Sequence, residues 1–97
     1  MKKQSFEPLA ELLKALANPV RLELLFALKD GHLNATNLCE QTGLSKANLS
    51  QHINRLKNDG LVICVKEGTY CYYNLSAPEL LEKLVWIQNH LHKGSKL

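Results

Sequence analysis

Two groups of side chains in this 97-residue sequence have the types and spacing to do chemistry. The first lies between Ser45 and Asp59. On a helical wheel Leu49, Ile53 and Leu56 form one apolar stripe, and Ala47, Ser50, Gln51, Asn54 and Asn58 fall on the opposite arc. Gln and Asn carry a donor and an acceptor together and can bond adenine bidentately, while Ser serves either role, so Ser50, Gln51 and Asn54 form a base-reading surface. Lys46 and Arg55 flank it and suit phosphate oxygens. Ala47 is small enough to let the helix N-terminus sink into a major groove and to touch a thymine methyl group. His52 sits at the edge of the apolar stripe, where packing and DNA contact are both open to it.

The second group is the pair Cys64 and Cys71. They lie in two extended runs, Leu61 to Lys66 and Thr69 to Leu75, which are rich in Val, Ile and Tyr and flank Glu67-Gly68. A turn centred on Glu67-Gly68 sets Lys66 against Thr69, Val65 against Tyr70, and Cys64 against Cys71. Cross-strand neighbours have α-carbons ~4.5–5.5 Å apart, inside the range a disulfide needs. The pair shares a strand face with Val62 and Tyr73. Three readings stay open: two small buried hydrophobes, a thiol switch by oxidation or modification, and a metal site built on the thiols.

The elements that position these groups follow from apolar spacing and capping residues. Leu9, Leu12, Leu13 and Leu16 predict a first helix over 7–17, with Pro8 in its first turn. Asn18 caps a second helix that carries Pro19 in its first turn and stops at Asp30-Gly31. A third helix runs from Ala35 to Thr42 and ends at Gly43. Ser45 caps the fourth, over 46–59, which Gly60 stops. Two helices joined by Gly-Leu-Ser make a helix-turn-helix, and the hairpin after it is a wing. Ser76 caps a last helix through Leu80, Leu81, Leu84, Val85, Ile87 and Leu91, and the polar tail 93–96 frays it. The expected fold is mainly α with a β-hairpin wing, a winged helix-turn-helix in the order ααααββα, in one domain over 1–97.

Composition narrows the classes of function. A chain this short leaves an isolated core marginal, and dimerisation is a natural remedy. Formal charge is +3, too mild to decide for or against nucleic acid, so the placement of charge must do so. No apolar run approaches the ~20 residues that cross a bilayer, and residues 1–7 lack the apolar stretch of a signal peptide. Cys39, Cys64 and Cys71 are widely spaced, with no CxxC, and fit reduced thiols in a cytoplasmic protein. Gly-rich phosphate loops, HExxH, GxSxG and acidic clusters are all missing, so an enzyme is not expected, nor is a cofactor.

The segments LKALANPVRLELLFAL, TGLSKANLSQHINRLKNDGLV and KEGTYCYYNL, between Leu13 and Leu75, resemble the ArsR/SmtB (arsenic-repressor) family of winged-helix sensors. The resemblance implies a homodimer packed through the first (7–17) and last (77–93) helices, each fourth helix reading half of an inverted repeat in double-stranded DNA. It also implies a repressor that leaves its operator when an inducer binds or oxidises it. Positions matching Ser45, Lys46, Ser50, Gln51 and His52 would lie on or near the DNA, and the wing tip from Lys66 to Thr69 would approach the backbone.

The family's sensing ligands are largely absent. Its Cys-x-Cys positions for thiophilic metals match Asn34 and Thr36, and Cys39, one turn on, reads as core. Its zinc-type site matches Ala77, Glu79, His90 and Lys93, of which only Glu79 and His90 are ligand types, half of a tight site. Redox-sensing relatives carry cysteines where this chain has Phe26 and His92. The expected function is a repressor of this type released by thiol chemistry rather than metal. A repressor with no inducer site, and a winged helix used for protein or RNA contact, are the alternatives.

Overall fold

The computed structural model describes residues 4–92. Five helices and three short strands follow one another as α1 (Glu7–Leu16), α2 (Pro19–Ala27), β1 (Leu33–Asn34), α3 (Ala35–Thr42), α4 (Lys46–Asn58), β2 (Val62–Glu67), β3 (Tyr70–Leu75) and α5 (Pro78–His92). The starts of α2, α3 and α4 are fixed by capping side chains. Asn18 Oδ1 accepts from the amides of Val20 and Arg21 at 2.9 and 3.1 Å. Asn34 and Asn37 cap reciprocally, each side chain accepting from the other's amide at 2.8 and 3.2 Å. Ser45 Oγ accepts from the Asn48 amide at 3.2 Å. Each such cap satisfies donors that the first helical turn otherwise leaves unpaired.

The core lies between the helix-turn-helix and the sheet. Leu24, Leu25 and Leu28 meet Leu38 of α3, the stripe Leu49, Ile53 and Leu56 of α4, and Leu61, Val62 and Leu81 from the C-terminal half. Full burial of side chains of this size contributes about 1.5–3 kcal/mol apiece, so the α4 stripe alone fixes which face that helix turns outward. Cys39 is half-buried against this core, as its expected role requires.

Four sequence expectations need correction. The hairpin turns on Gly68-Thr69 rather than Glu67-Gly68, so Glu67 pairs with Tyr70, Lys66 with Cys71, Val65 with Tyr72 and Cys64 with Tyr73. Gly68 has φ 64°, and a two-residue turn with glycine first and left-handed matches the right-handed twist of its strands. Cys64 and Cys71 are therefore diagonal neighbours, not opposite ones. The sheet also has a third strand: β1 pairs with β3, giving the order β1-β3-β2 with β3 in the middle. Helix α2 ends at Ala27, and residues 28–30 form a turn instead of a further helical turn. Helix α5 opens at Pro78, which makes Ala77 and not Ser76 its flanking residue. The expected fraying at 93–96 lies outside the described residues.

Two helices leave much apolar surface open. Leu9 and Leu13 of α1 are 51% and 54% exposed, and Trp86 and Leu91 of α5 are 58% and 52% exposed. A groove of about 410 Å³ runs between α2 and α5, lined by Leu22, Phe26, Leu84, Ile87 and Leu91 among others. The radius of gyration is 14.9 Å, against about 12.5 Å for a compact domain of this length. Among the described residues, no helix is long and apolar enough to cross a membrane.

Candidate nucleic-acid interface

The surface that carries chemistry is built on α4. With Leu49, Ile53 and Leu56 at 3%, 2% and 0% exposure, Lys46, Ala47, Ser50, Gln51, Asn54 and Asn58 are all left in solvent on the other side. His52 is half-buried at the boundary. The turn before α4 is rigid for local reasons. Gly43 adopts a left-handed φ of 76°, its amide donating to the Cys39 carbonyl at 2.8 Å, and Thr42 Oγ1 donates to the Leu38 carbonyl at 2.6 Å and accepts from the Leu44 amide at 3.3 Å. Helix α4 thus begins at a defined angle, with Ser45, Lys46 and Ala47 at its exposed N-terminus. That end carries the positive pole of the helix dipole, and the hydroxyl hydrogen of Ser45 is not used by its cap. An anionic backbone is the natural complement to such a surface.

Arg55 is not a simple companion to Lys46. Its Nε donates to Asp59 Oδ2 at 2.7 Å, an i,i+4 pair that holds the guanidinium toward the C-terminal end of α4. Sequence reading missed this, although the spacing of Arg55 and Asp59 was the available signal.

The wing follows α4 directly, and its strand β2 packs against that helix. Lys66 and Thr69 are exposed at its tip, Thr69 as the second turn residue. Strand alternation puts Cys64, Lys66, Cys71 and Tyr73 on one face. Cys64 and Cys71 are both half-buried and their sulfur atoms are bonded, with α-carbons 5.8 Å apart. The other face carries Ile63, Val65, Glu67, Tyr70 and Tyr72. There His32, itself left-handed at φ 59°, stacks on Tyr72 with ring centroids 4.4 Å apart and meets Glu67 at 3.3 Å. The His32 amide donates to Asn74 Oδ1 at 2.9 Å. This clasp, which runs along the wing to Glu67 beside its turn, was not legible in the sequence, because it joins residues about forty positions apart.

The metal-type residues are not brought together. Glu79 is exposed in the first turn of α5, and His90 is half-buried eleven residues further along. At 1.5 Å rise per residue they stand about 16 Å apart along the axis, so one protomer cannot chelate an ion with both. His90 Nδ1 lies 3.1 Å from the Trp86 carbonyl oxygen and its ring packs on Trp86. No group of three or more His, Cys, Asp or Glu able to hold a metal occurs among the described residues.

Residues 18–63, the α2 to β2 segment, match the bacterial regulatory protein arsR family. The chain is 32% identical over 81 residues to the transcriptional repressor SdpR of Bacillus subtilis, a match spanning 84% of this chain and 90% of SdpR. It is 34% identical over 94 residues to the HTH-type transcriptional regulator NmtR of Mycobacterium tuberculosis, spanning 94% of this chain and 78% of NmtR. Its fold superposes with a TM-score of 0.80 on the homodimeric winged helix-turn-helix DNA-binding domain of Mb0332 from Mycobacterium bovis, at 28% identity and 96% and 92% coverage of the two chains. A helix-turn-helix with a polar outer face, a wing beside it and relatives that match nearly end to end leave one assignment: this chain belongs to the ArsR family, a winged helix-turn-helix DNA-binding transcriptional regulator and not an enzyme.

Proposed function

We propose that the protein is a cytoplasmic homodimeric repressor that holds an inverted-repeat operator with one α4 in each half-site. The observation that carries this reading is the exposed, uncharged polar face of α4, fixed outward by three buried side chains and flanked by the wing. Gln51, Ser50 and Asn54 read base edges, and Ala47 meets a thymine methyl group. Ser45, Lys46, His52, Arg55, Lys66 and Thr69 contact or flank the phosphate backbone. The 1–97 chain acts as one domain, and α1 and α5 pair with those of a second copy. Their open apolar faces and the extended shape of the single chain support that pairing.

Release from the operator is driven by chemistry at Cys64 and Cys71, not by metal. Support comes from their adjacency in the wing. The test of the operator assignment is selection of duplexes from a random pool, followed by affinity measured against salt. An inverted repeat with half-sites about one helical turn apart, and affinity falling steeply as salt rises, is the expected result. Salt-independent binding, or no preferred repeat, points instead to a protein-interaction module.

A further inference from the structure

The hairpin register gives the two wing cysteines unequal surroundings. Lys66 is paired directly across from Cys71, whereas the residue across from Cys64 is Tyr73. In a two-residue hairpin the pair beside the turn is hydrogen-bonded and the next is not. Lys66 and Cys71 therefore occupy a non-hydrogen-bonded pair, where facing side chains approach most closely, with α-carbons typically ~4.5 Å apart. A lysine at this facing position has the reach to bring its ammonium group to the Cys71 sulfur, and a positive charge beside a cysteine promotes its attack. Cys64 has a neutral ring opposite, and Lys66 only two residues along its own strand. Its α-carbon lies 5.8 Å from that of Cys71, within the ~4.4–6.8 Å a disulfide spans without backbone movement. Both cysteines are only half-buried, and Lys66 on their own face and the turn beyond it are exposed, so the site opens toward the wing tip.

We infer that the wing is a modification site for low-molecular-weight disulfides, in which Cys71 attacks, Cys64 resolves, and Lys66 is the positioning residue that sets the order. The inference rests on reading the wing cysteines as the input of the repressor. The Cys71 thiolate attacks one sulfur of R–S–S–R. The S–S bond breaks and RS⁻ leaves with the electron pair, giving a mixed disulfide on Cys71. Cys64 loses its proton to solvent and its thiolate attacks the Cys71 sulfur, expelling the second RS⁻. Two cysteines are oxidised by two electrons, one small disulfide is reduced to two thiols, and the protons lost by the cysteines balance those the released thiolates take up. Lys66 also stands in the proposed phosphate contact, so bound operator and thiolate compete for one ammonium group.

The test uses the full chain with Cys39→Ser, reduced and freed of reductant, with the neutral probe bis(2-hydroxyethyl) disulfide and intact-mass readout. The parent should close its disulfide without accumulating adduct. With Cys64→Ser added, the Cys71 adduct should accumulate. With Cys71→Ser instead, adduct should form at Cys64 about 3-fold more slowly, because extra thiolate is partly offset by its lower nucleophilicity. In the Cys64→Ser background, Lys66→Gln should slow Cys71 by about the same factor and Lys66→Arg should restore it. A thermal melt of each variant shows whether it is folded. Equal rates at the two cysteines, or indifference to Lys66→Gln in folded protein, would overturn the inference. The readout needs no DNA, so its failure and a failure of operator binding are distinguishable.

Discussion

Arg21 reaches back from α2 to close the end of α1: its Nε donates to the Ala15 carbonyl oxygen at 2.6 Å and its Nη2 to that of Lys14 at 3.2 Å. The Lys14 carbonyl also accepts from the Ala17 amide at 3.3 Å, and a guanidinium at a helix C-terminus adds donors to the last carbonyls and meets the negative end of the dipole. The orientation of α1, whose outer side chains are the apolar Leu9 and Leu13, is thus held by this side chain together with the buried Ala15 and Leu16.

Replacing Arg21 by Ala should cost about 1–2 kcal/mol, the range for partly exposed hydrogen bonds from a charged donor. The melting temperature should fall by about 4–8 °C per kcal/mol, and dimer dissociation on dilution should shift to higher concentration. Calorimetry and sedimentation equilibrium measure the two effects; an unchanged dimer would separate the position of α1 from association.

Leu13→Glu places a charge in the middle of the open α1 stripe, 54% exposed in the single chain. In one protomer this is a surface change and should move stability by no more than about 0.5 kcal/mol. In a dimer joined through α1 and α5 it buries an unpaired carboxylate. Sedimentation velocity should then report a folded monomer, and a persistent dimer would place the interface elsewhere.

Gln51→Ala should weaken discrimination at one base step in each half-site by about 1–3 kcal/mol while leaving the salt dependence unchanged. Competition binding against single-base operator variants measures it. Identical preference profiles for mutant and parent would remove Gln51 from the reading set.

Asp59→Ala should scarcely alter stability, since pairs this exposed contribute about 0–1 kcal/mol. It releases the Arg55 guanidinium and removes a negative charge from the end of α4. Operator affinity should rise, with a salt slope steeper by up to about one ion. No change in slope would mean that Arg55 does not reach a phosphate.

The helical part of the fold was legible because its signals are local. Asn18, Asn34 and Ser45 cap within three residues of themselves, and Leu49, Ile53 and Leu56 repeat at helical spacing. The polar face of α4 could be drawn from those three leucine and isoleucine positions alone. Legibility failed where a choice depended on distant partners. Glu67-Gly68 and Gly68-Thr69 both offer glycine to a turn, and the pairing of β3 with β1 on its other edge helps fix the strand positions. With two residues, β1 has no periodicity to detect. The contacts of Arg21 with carbonyls and of His32 with Tyr72 join side chains to groups that composition does not mark.

The two-residue strand β1 has a mechanical consequence. Asn34 both pairs with Tyr72 in β3 and caps α3 through Asn37, while Tyr72 adjoins Cys71. The wing is therefore geared to the helix-turn-helix through the two-rung ladder of Leu33 with Tyr73 and Asn34 with Tyr72. A torsion applied at the sulfurs has one covalent step and one strand pairing to cross before it bears on the first turn of α3. Hydrogen exchange of the Asn37 amide, followed as the wing is oxidised and reduced, would register that torque at the place where it enters the reading head.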